Sequence, residues 1–106
     1  MSIDQLDKID IISTSEAGDF VLHISDHLMW DREREHIQLL QDKINAYLQF
    51  IEDGQIFEEY PTATKTNISI EVVFKYDPPK SILIYLNCFK EMVMDFGVPL
   101  TWQIYK

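Results

Sequence analysis

Between residues 67 and 76 apolar and polar side chains alternate, interrupted only by Val73. Ile68, Ile70, Val72, Phe74 and Tyr76 fall on one side, Ser69, Glu71, Val73 and Lys75 on the other. A period of two sends successive side chains to opposite faces of a strand, so this segment reads as a strand buried on one face only. Something else in the chain must then cover that face. Residues 98–105 repeat the pattern, with Val98, Leu100, Trp102 and Ile104 pointing one way and Pro99, Thr101, Gln103 and Tyr105 the other. Two shorter apolar runs, 9–12 and 20–24, flank Ser15-Glu16-Ala17-Gly18-Asp19, which is a hairpin signal with a five-residue connection.

The cover comes from two helices. Ile37, Leu40, Ile44, Tyr47, Leu48 and Ile51 recur at spacings of three and four and predict a helix over 31–53. Asp31 is expected to cap its first N–H groups, and Glu33 and Glu35 to complement the positive end of its dipole. Pro79 suits a first turn, and Ile82, Leu86, Phe89, Val93 and Phe96 predict a second helix over 79–96. Gly54 and Gly97 follow these helices, where a left-handed residue is wanted.

The order β-β-α-β-α-β follows. Both helices must lie on the apolar face, which gives a two-layer α+β sandwich with a four-stranded mixed sheet. Right-handed crossovers favour strand order 1-2-3-4, with the first strand antiparallel at an edge. At 106 residues the chain supports one core, and a single domain is expected over 1–106.

Charge narrows the choice of partner. Nine Lys and Arg stand against eighteen Asp and Glu, a net charge of −9. Neither nucleic acid nor an anionic membrane is expected as a partner, since both need a basic patch. The charge is also uneven. Residues 1–60 hold fourteen acids against Lys8, Arg32, Arg34 and Lys43, a balance of −10, whereas residues 61–106 come to +1. Such a flank favours solubility, and it also steers a basic protein.

Cys88 stands alone, which forbids an internal disulfide. The first ten residues lack the basic start and apolar run of a signal peptide, and no apolar run approaches a transmembrane length. The cytoplasm is the expected compartment.

A longer pattern runs through most of the chain. It comprises Ile24-Ser25-Asp26-His27-Leu28 with Trp30, Glu35-His36, Leu39-Leu40-Gln41, Lys43, Asn45, Tyr47-Leu48 and Phe50-Ile51-Glu52. It continues with Gly54, Ile56, Glu58, Tyr60-Pro61 and Lys75-Tyr76 before Pro78-Pro79. In this it resembles a family of small uncharacterised bacterial proteins known only as a domain of unknown function. The resemblance implies a bacterial, cytoplasmic protein and carries over no catalytic residue.

Glycines at 18, 54 and 97 alone exclude a phosphate loop, a dinucleotide fingerprint and a nucleophile elbow, and no cofactor is expected. All three histidines fall near the junction of second strand and first helix, among Asp26, Asp31 and Glu35. Imidazole and carboxylate together suit a transition metal or hydrolytic chemistry, so an enzyme using His23, His27, Asp31 and Glu35 is one reading. The same residues also read as caps and first-turn acids, and no metal ligand is assigned. Cys88 has no basic neighbour at helical spacing and reads as an inert flank residue.

Two surfaces remain. The uncovered sheet face should carry His23, Glu71, Lys75, Gln103 and Tyr105, a flat polar and aromatic face of the kind that recognises protein. Leu39 and Phe50, with Ala46, form a minor apolar row beside Lys43 that either widens the core contact or makes a homodimer seam. The main reading is a protein-binding module without catalysis, of inhibitor or immunity type, whose acidic half meets a basic partner. The enzyme and a homodimeric accessory protein are the alternatives.

Overall fold

The computed structural model describes residues 11–64 and 66–104, the side chain of Ile11 excepted. Its elements are β1 (Ile11–Thr14), β2 (Phe20–Asp26), α1 (Glu33–Glu52), α2 (Gln55–Glu59), β3 (Ile68–Phe74), α3 (Lys80–Met94) and β4 (Leu100–Ile104). The sheet order is β1-β2-β3-β4, with β1 antiparallel to β2 and the other pairs parallel. This is the expected architecture, with the four strands laid out in sequence order.

The hairpin forms where the turn residues place it. Ser15 N–H donates to the Asp19 carbonyl at 2.8 Å, and Gly18 takes φ +89°. The first strand is described from Ile11; residues 9 and 10 of the expected run lie outside the described residues. Its partner β2 runs two residues beyond the expected end, to Asp26.

On the covered face Phe20, Leu22, Ile24, Ile68, Ile70, Val72, Phe74 and Leu100 are buried. They form one cluster with Leu40, Ile44, Tyr47, Leu48 and Ile51 of α1 and Ile82, Leu86, Phe89 and Val93 of α3. Burying each such side chain contributes about 1.5–3 kcal/mol, so this interlayer cluster is the main source of stability.

Four expectations are corrected at the margins. Arg32, not Asp31, is the N-cap of α1, and no side chain caps the helix. Phe96 is 47% exposed, because α3 stops at Met94 and Gly97 at φ +81° turns the chain toward β4. Tyr76 lies beyond the end of β3 and is exposed. Gly54, at φ +80°, ends α1 as expected, but the chain then makes a further short helix, α2, anchored by buried Ile56.

Candidate functional site

The inward stripes of β2 and α1 contain three residues that a binary pattern assigns to solvent: Asp26, His36 and Lys43 are all buried. Asp26 occupies the last inward position of β2, after Phe20, Leu22 and Ile24. Its Oδ2 lies 2.5 Å from Nε2 of His36, and its Oδ1 accepts the Leu28 N–H at 3.1 Å. The His36 ring stacks on Trp30 with centroids 3.6 Å apart, and Trp30 packs in turn against Phe74. Trp30 Nε1–H donates to the Tyr76 carbonyl at 3.1 Å. These contacts clasp the carboxyl ends of β2 and β3 to the first turn of α1. Nδ1 of His36 is buried with no hydrogen-bond partner among the described residues.

About two and three turns further along α1 come Lys43 and Tyr47. Tyr47 O–H donates to the His23 carbonyl at 2.5 Å, and Lys43 Nζ lies 5.5 Å from the Tyr47 ring centroid. The electron-rich ring face attracts the cationic end of such a chain. With Lys43 drawn into the core, no exposed cation offsets the acids on the outer surface of α1 and α2 beyond Arg34. From Glu35 to Glu59 that surface presents exposed Glu35, Glu52, Asp53, Glu58 and Glu59, and no other Lys or Arg occurs in that span.

On the opposite, uncovered face a chain of side-chain contacts crosses all four strands. Ser13 Oγ on β1 lies 2.8 Å from His23 Nε2 on β2. His23 Nδ1 lies 3.2 Å from Glu71 Oε1 on β3, and Gln103 Nε2 on β4 donates to the same oxygen at 3.1 Å. The register makes this possible, since His23 is paired directly with Glu71, and Ser13 and Gln103 sit one diagonal step away from His23 and Glu71.

The histidine and acid cluster expected at the junction is divided by the fold. His23 faces the open side of the sheet, and His27 lines a shallow cleft with Ser25, Val73 and Lys75. Asp31 and Glu35 line another cleft of about 240 Å³ with Leu28, Met29, Arg32, His36 and Leu39. Among the described residues no three His, Cys, Asp or Glu side chains converge as a metal site. His27, Asp31 and Glu35 therefore do not form one constellation with His23.

The sheet-face residues His23, Glu71 and Gln103 do come together, whereas Lys75 is exposed past the end of β3 with Nζ 5.6 Å from the Tyr76 ring. Tyr105 lies outside the described residues. Leu39 and Phe50 are partly buried and pack against the core. Cys88 is exposed and free. Sequence reasoning missed Ser13, whose place beside His23 depends on hairpin register; it grouped Asp26 and His36 in one cluster but did not pair them, although Asp26 stands in phase with three inward apolar residues.

These features define a small α+β protein with an open polar sheet face, a helical layer and one strongly acidic flank. The chain belongs to the DUF6572 family, a family of unknown function whose model matches residues 1–106. No curated protein and no solved structure matches it. Among the described residues no helix is long and apolar enough to cross a membrane.

Proposed function

We propose that this protein acts by binding a basic protein partner through the acidic surface of α1 and α2. The burial of Lys43 carries the reading, because it leaves the span from Glu35 to Glu59 with exposed charges of one sign. A second feature supports it. Glu52 and the C-cap Asp53 stand at the negative end of the α1 dipole, and the last turn holds no basic residue. Acids there oppose the dipole and weaken the helix. A surface shaped for stability alone would hold Lys or Arg at those positions.

A single-signed surface raises encounter rates with an oppositely charged protein and rejects acidic ones. The form this reading takes is an inhibitor or immunity-type domain of the bacterial cytoplasm that covers a basic surface on its partner. The test is capture from a lysate of cells that naturally carry the protein, with washes at low and high salt. A basic protein held at low salt and released at high salt supports the reading. Binding that is indifferent to salt, or a captured protein that is acidic, contradicts it.

A further inference from the structure

The side chains that cross the open face stand in the order a nucleophilic site requires: hydroxyl, imidazole, carboxylate. The ring nitrogens are also the right ones. Nδ1 of His23 faces Glu71 Oε1 at 3.2 Å, so the carboxylate holds the proton on Nδ1 and leaves the Nε2 lone pair toward Ser13 Oγ at 2.8 Å. Glu71 is itself held by Gln103, whose amide donates to the same oxygen at 3.1 Å. The side chains of His23 and Glu71 are only 22% and 25% exposed, which shields their contact from water, while Ser13 is exposed to an incoming molecule. Val21, paired with Ser13 across β1 and β2, provides an apolar neighbour on the same face.

We propose that Ser13 is a nucleophile with His23 as its general base, and that this face takes an activated acyl ester. Glu71 and Gln103 are positioning residues that fix the imidazole. In the first step the Ser13 O–H proton passes to His23 Nε2 as Oγ bonds to the carbonyl carbon. The carbon–oxygen bond to the leaving alcohol then breaks, and that alcohol takes the proton from Nε2. Water repeats the sequence on the acyl-serine, releasing the carboxylic acid and restoring Ser13. This activity lies on the face opposite the helices and stands independently of partner binding.

The test uses an alkyl fluorophosphonate, read by intact mass and peptide mapping, with hydrolysis of p-nitrophenyl acetate alongside. One adduct per chain at Ser13 is expected. It should be absent in Ser13→Ala and slowed about a hundredfold or more in His23→Gln. Glu71→Gln should slow labelling about tenfold, with Glu71→Asp partly restoring it, a rescue that a purely structural residue would not give. A second measurement uses Ser13→Cys, in which exposed Cys88 serves as the internal reference. Iodoacetamide at neutral pH should alkylate the new thiol at least about tenfold faster than Cys88, and His23→Gln in that background should remove the difference. No adduct at Ser13, or equal alkylation of the two thiols, overturns the proposal.

Discussion

The clasp between Asp26 and His36 makes a quantitative prediction. Both side chains are withdrawn from solvent, at 0% and 2% exposure, and their contact is 2.5 Å. Removing one partner of a buried ionisable pair costs about 3–5 kcal/mol, largely because the other is left buried and unpaired. Asp26→Ala should therefore cost about 3 kcal/mol, including the lost acceptor for Leu28 N–H. His36→Ala should cost about 1 kcal/mol more, since it also removes the stack on Trp30. Urea unfolding followed by circular dichroism measures both. With a slope of about 1.5 kcal/mol/M, Asp26→Ala lowers the midpoint by about 2 M. The double variant decides the issue. If the two residues act as a unit, its cost falls short of the sum of the single costs by about 1–3 kcal/mol. Additivity within about 0.5 kcal/mol would refute the coupling.

Three further outcomes are expected. Glu52→Lys should stabilise the protein by about 0.5 kcal/mol by matching the α1 dipole, a rise of about 2–4 °C in a thermal melt that fades at high salt. Gly54→Ala should cost about 1 kcal/mol or more in denaturant unfolding, and Gly54→Asn less. The penalty is purely backbone, because an added Cβ would meet only Phe57 Cδ2 at 4.0 Å while φ is +80°. Leu39→Ala should lower stability by about 1–2 kcal/mol because Leu39 packs on the core. Sedimentation equilibrium at high micromolar concentration should give the same mass before and after that change.

The architecture is legible because its signals are local. The alternation through Ile68, Ile70, Val72 and Phe74 and the stripes of Leu40, Ile44 and Leu48 or Ile82, Leu86 and Phe89 each decide an element type within ten residues. The handedness of the crossovers then orders the sheet. What stays hidden depends on partners distant in sequence or on exceptions to the burial rule. Asp26 ends an apolar run by composition yet continues it in space, because His36, ten residues on, supplies its partner. Lys43 shares its helix sector with His36 and Tyr47, but lysine is almost never buried, so a pattern reading assigns it to solvent. A five-residue helix such as α2 has too few turns to show a period. His23, Glu71 and Gln103 are legible as residues of one face, whereas their contact chain through Ser13 needs the strand register, which no single strand encodes.

The measurement that bears most directly on the binding account compares the wild-type protein with the triple charge reversal Glu52→Lys, Glu58→Lys, Glu59→Lys against the captured partner, across a salt series. All three positions are exposed, so the fold should survive, as circular dichroism can verify. The account predicts that wild-type association weakens steeply with salt, and that the reversed protein loses association at low salt. Equal affinities for the two proteins, with the same salt dependence, would contradict an acidic binding surface on α1 and α2.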